Sequence, residues 1–107
     1  MCGAIFANNV YIRHCADHIS ACVSDDIFEK DPAEAIDELE RFWKSNHEIV
    51  GLSVGYKELD RMSDLIIDLK TYFELGNVSE VKRIREMIVE GADEISRLER
   101  FSLENLL

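Results

Sequence analysis

A chain of 107 residues can bury one modest core, and its 47% apolar and 32% charged composition excludes both a disordered chain and a membrane-embedded one. Twenty-two acidic against twelve basic residues leave a formal charge of −10, which repels phosphate backbones and anionic bilayers and excludes nucleic acid as an expected partner. One proline and five glycines supply few of the turns an all-β domain needs, so composition predicts helices.

The first predicted helix starts after Asn8 or Asn9, either of which can cap, and runs to about Ile27. Ile12, Cys15, Ile19, Cys22 and Val23 form its apolar stripe at three- and four-residue spacing. Asp31-Pro32-Ala33-Glu34 opens the second: Asp31 can accept from exposed amides, Pro32 suits the first helical position, and Glu34 can reach back to complete a capping box. Ala35, Ile36, Leu39, Phe42, Trp43, Ile49 and Val50 form its buried stripe. Gly51-Leu52-Ser53-Val54-Gly55 is a poor helical stretch and predicts a turn or kink.

A third helix resumes near Tyr56 and buries Leu59, Met62, Ile66, Leu69 and Phe73, with Leu65 and Tyr72 on its flanks. Gly76 is placed for a left-handed C-cap, with Asn77 as the next N-cap and Glu80 three residues on, so the last two helices form a tight antiparallel hairpin. The fourth helix spans about Val78 to Phe101 and buries Val81, Ile84, Ile88, Ala92, Ile95 and Leu98. Ser102-Leu103-Glu104-Asn105-Leu106-Leu107 either extends it or folds back. The predicted fold is all-α: an antiparallel bundle of about four helices, or two stacked helical hairpins, over residues 9–107.

Sites with chemistry are scarce. His14 and His18 stand at i and i+4 and could meet one metal ion, with His47 elsewhere, yet no acidic residue completes a ligand set. Their bland reading is that of solvent-facing histidines beside core cysteines. Cys15 and Cys22 are two helical turns apart, roughly 10 Å, too far for a disulfide within one helix. Glu-x-x-His pairs are missing, and Gly51 replaces the second histidine of a zinc-protease motif starting at His47. Glu58 and Asp60 fall on different faces of a helix and do not converge for acid–base work. The sequence thus points to no enzyme, no cofactor and no resident metal. Among the aromatics, Trp43, Tyr56 and Tyr72 are the candidate partner-binding residues. If one of them is exposed as an anchor it is Trp43, because it adjoins Phe42 and both cannot face one core line; the alternative is its partial burial within the bundle.

From Phe42 to Leu107 the chain resembles an uncharacterised Firmicutes family of short proteins classed as a domain of unknown function. Phe42-Trp43-Lys44, Glu58-Leu59-Asp60, Leu69-Lys70-Thr71-Tyr72 and the ending Ser102-Leu103-Glu104-Asn105-Leu106-Leu107 carry the resemblance, the ending being the most specific. It implies an N-terminal membrane segment, of which residues 1–8, at Gly3-Ala4-Ile5-Phe6, would be the remnant, and an extracytoplasmic helical domain. A histidine often stands in that family where this chain has Tyr56, which weakens a shared chemical role there. Without an anchor the chain reads as soluble, and as given it contains no spanning segment. The expected function is a non-enzymatic helical interaction domain that binds a protein partner or itself, with a metal- or small-ligand-binding bundle using His14 and His18 as the alternative.

Overall fold

A computed structural model of the chain describes the backbone of residues 2–106 and the side chains of residues 12–48, 50 and 55–98. The expectations for Ile49 and for the side chains of residues 1–8 and 102–107 lie outside the described residues. The described chain is all-helical: α1 spans Cys2–Cys22, α2 Asp25–Phe28, α3 Pro32–Val54, α4 Tyr56–Glu74 and α5 Val78–Leu106.

The helix boundaries follow local chemistry, with three corrections to the sequence reading. Helical backbone begins at Cys2, ahead of Asn8 and Asn9, because asparagine costs only some tenths of a kcal/mol inside a helix while stopping there would leave backbone groups unpaired. The first helix stops at Cys22 and a separate turn follows. Ser24 takes an extended backbone (φ −69°, ψ 155°), and its hydroxyl donates back to the Ala21 carbonyl at 2.7 Å. Asp25 and Asp26 then sit in the first turn of α2, where carboxylates face exposed amides. Finally, α3 continues through Gly51 to Val54, and the break is the single residue Gly55 at φ 99°, ψ 161°. That region is nearly closed to residues with a Cβ, so Gly55 is where the chain can reverse.

The caps at Asp31 and Asn77 form as their sequences imply. Asp31 Oδ1 accepts from the Glu34 amide and Asn77 Oδ1 from the Glu80 amide, both at 3.2 Å. Neither acid completes the reciprocal half of a capping box: Glu34 pairs with Arg41 and Glu80 with Arg83. Gly76, at φ 72°, donates to Phe73 O at 3.1 Å, while Asn77 donates to Tyr72 O at 3.0 Å. These two bonds form a Schellman motif that satisfies the last carbonyls of α4 and turns the chain directly into α5.

The stripes read from spacing meet in one apolar core. Ile12, Ile19, Leu39, Met62, Leu69 and Ile88 are among its most buried side chains. α1 packs on α3 and α5, and α4 packs on the same two helices. Trp43 bonds Ser63, and Glu40 bonds Lys70, so positions falling along α3 meet positions rising along α4; those two helices are antiparallel. Gly91 lets α5 lie close to α4, since a Cβ there would stand 3.0 Å from the Met62 methyl. The molecule is a rod of 48 × 23 × 19 Å. One end collects the close of α1, all of α2, the start of α3 and the α4–α5 turn.

Candidate partner-binding groove

At that end a groove of about 1050 Å³ opens between α2 and the first turns of α5. α2 packs on α3 and on the end of α1, and across the gap to α5 the Arg85 side chain ties it to the opposite wall. Arg85 is only 14% exposed; its Nε and Nη2 donate to Val23 O at 3.0 and 2.8 Å, and Nη2 also meets Asp25 Oδ1 at 2.9 Å. Its guanidinium carbon lies 4.2 Å from the centroid of the buried Phe28 ring. A planar, permanently charged fork serves all of these at once: it closes an orphan carbonyl at the end of α1, pairs an acid of α2 and stacks on an aromatic face.

The groove's apolar lining includes Phe28, Phe73 and Val81, and two valines of α5 stand open to solvent, Val78 at 79% and Val89 at 41% exposure. Val78, Lys82, Arg85 and Val89 follow one another at helical spacing, so they form a line along α5 beside the core stripe of Val81, Ile84, Ile88 and Ala92. The two valines are about three turns apart on that line. Acids border it: Glu29 from the α2 side, Glu86 and Glu90 from α5. Among the described residues these three make no ion pair within 4.0 Å, while Asp25 is taken by Arg85. Lys82 is the opposing cation in the lining, so the groove's uncompensated charge is negative.

The residues singled out by sequence lie elsewhere. Trp43 is 5% exposed, and its indole N–H donates to Ser63 Oγ at 2.7 Å, so it fills the α3–α4 interface and is not an exposed anchor. Burial within the bundle is thus the reading of Trp43 that holds, and Phe42 is the half-buried member of the pair. Tyr56 is 69% exposed at the start of α4, remote along that helix from the groove, and Tyr72 is half-buried against the core. The structure brings none of the three together at this groove.

The histidine and cysteine candidates do not converge either. His14 is exposed, whereas His18 stacks on Phe42 with ring centroids 4.2 Å apart and turns Nε2 to within 3.5 Å of Glu38 Oε1. His47 donates from Nδ1 to the Lys44 carbonyl at 3.1 Å. Among the described residues no three His, Cys, Asp or Glu side chains group as a metal site. Cys15 and Cys22 are buried, and burial pushes the Cys22 thiol above its ordinary range, with the Glu38 carboxylate acting in the same direction. Cys22 is therefore a protonated core residue at neutral pH, unsuited to nucleophilic attack.

No protein-family model matches the chain, and no curated protein or solved structure is significantly similar to it.

Proposed function

We propose that this chain is a non-enzymatic docking domain, a closed antiparallel bundle of four long helices that holds a protein partner in the groove between α2 and α5. The observation carrying this reading is the pair Val78 and Val89, exposed on one line of α5 and flanking the immobilised Arg85. Covering two valines contributes about 2–4 kcal/mol, a meaningful share of a micromolar affinity. The groove's scale and open mouth suit a segment of a protein better than an enclosed small molecule.

The membrane tether implied by the family resemblance belongs to the same proposal. Among the described residues no helix is long and apolar enough to cross a membrane; on the resemblance, residues 1–8 would be the remnant of the tether. The groove would then stand about 20 Å of helix beyond the tether, facing away from the bilayer.

Site-specific photo-crosslinking in the native cell tests the docking role. A crosslinker at Val78 is expected to give one discrete protein adduct that disappears when Val89→Asp is added, while a crosslinker at the exposed Ile67 gives none. Adducts of equal yield from both positions, or an adduct indifferent to Val89→Asp, would refute the groove as the docking site.

A further inference from the structure

We infer that the occupant of the groove is an amphipathic helix whose apolar face is flanked by lysine or arginine. This inference rests on the docking role proposed above and adds the chemistry of the partner. Three observations carry it. First, the described residues contain no strand, so there is no sheet edge for an extended peptide to join. A helix satisfies its own backbone and needs only an apolar face to dock. Second, the length fits: the α5 side of the groove runs from Val78 to Glu90, a rise of roughly 18 Å, matching about three turns of a partner helix against the Val78–Val89 line.

Third, the charge is arranged for a basic partner. Glu86 and Glu90 stand at i and i+4 on α5, a like-charged spacing that costs the isolated helix some tenths of a kcal/mol. Neither is relieved by an ion pair among the described residues, and Glu29, which lines the same groove, is in the same condition. Lys82 offsets one of these charges and Arg85 is occupied by Val23 and Asp25. A second copy of this chain, itself carrying a formal charge of −10, would meet repulsion here, whereas cationic flanks would relieve it.

The test uses fluorescein-labelled peptides of 14 residues, with leucines at i, i+3, i+4 and i+7 and either lysine or glutamate at the flanking positions, titrated with the whole protein by anisotropy. The lysine peptide is expected to bind at least about tenfold more tightly than the glutamate peptide, with an advantage that shrinks as salt rises. E86K/E90K should remove that advantage. D60K/D64K, which makes the same change in net charge on exposed α4 residues outside the groove, should leave affinity within about twofold. V78D/V89D should abolish binding, with helicity by circular dichroism unchanged in all variants. Equal binding of both peptides, or equal loss in E86K/E90K and D60K/D64K, would overturn the basic-helix inference; sensitivity to V78D/V89D would still uphold the docking groove. Binding of neither peptide, or binding indifferent to V78D/V89D, would overturn both.

Discussion

Trp43 and Arg85 each place a polar group in largely apolar surroundings, and each is tolerated because every important donor has a partner. Ser63 Oγ, 2.7 Å from the Trp43 indole nitrogen, is the acceptor that allows a tryptophan at the α3–α4 interface. Ser63→Ala removes it and leaves a buried N–H unpaired, so unfolding by urea, followed through this sole tryptophan, should show a loss of about 1–3 kcal/mol. Arg85 has a different role: its removal should loosen α2 more than the core. Arg85→Met keeps the apolar stem but loses the bonds to Val23 and Asp25. Amide hydrogen exchange should then accelerate at Phe28 and Glu29, whose N–H groups bond within α2, while the amides of α4 keep their protection. Equal acceleration throughout would mean that Arg85 supports the whole fold rather than the groove wall.

Glu40 receives both Lys44 from its own helix, at 2.9 Å, and Lys70 from α4, at 3.2 Å. Hydrogen bonds to Lys44 and then Lys70 hold its carboxyl below the usual carboxylate range. A pKa lowered in the folded state means that the unfolded chain takes up this proton first. The stabilisation is therefore present above the unfolded carboxyl pKa, near 4.3, and is lost as pH falls through the lower folded value. Glu40→Gln should consequently destabilise the protein at pH 7 and flatten the decline of stability below pH about 4.5. Parallel pH profiles for the two proteins would contradict this.

At the scale of elements, two glycines have opposite consequences. Gly76 lies at φ 72° in the Schellman turn, with open space around it, so Gly76→Ala is strained by its backbone alone and should cost about 1 kcal/mol. Gly91 is helical, and alanine there gains up to about 1 kcal/mol of helix propensity. The cost is a shift of the Met62 methyl, the end of a flexible side chain 3.0 Å away. Gly91→Ala should therefore raise the melting temperature while Gly76→Ala lowers it.

Spacing made the elements legible. Ile12 to Val23, Ala35 to Trp43, Leu59 to Leu69 and Val81 to Ile95 are buried along the stripes their periodicity implies, and Asp31, Gly76 and Asn77 cap where their chemistry places them. What spacing missed was α2 and, with it, the groove. Ser24-Asp25-Asp26 carries a helix-start signature, but apolar positions running on to Ile27 and Phe28 look like an unbroken helix until Ser24 turns. Val78 and Val89 were hidden for a related reason. Each reads as an ordinary member of an amphipathic helix, and only the position of α2 shows that the line through them lacks a partner helix. Arg85 offered a faint signal, a permanent charge at the edge of the core stripe between Ile84 and Ile88. Trp43 is buried with its stripe, but spacing leaves open whether it or Phe42 is the more exposed of the two; the choice follows from Ser63 on another helix.

On the scale of the whole molecule, the radius of gyration of 14.3 Å exceeds the roughly 13 Å of a spherical chain of this length, as a rod 48 Å long requires. A rod has two distinct ends, and its features are distributed unevenly between them. The Gly55 end carries the exposed Tyr56, whereas the other gathers α2, Arg85, the exposed valines and the unpaired acids. Amide shift mapping of the whole protein titrated with the lysine-flanked leucine peptide tests the docking account most directly. The account predicts shifts confined to residues 23–32 and 73–90, growing to saturation, with the amides around Tyr56 unmoved. Saturable shifts centred on α4 near Tyr56, or spread evenly over the acidic surface, would contradict it.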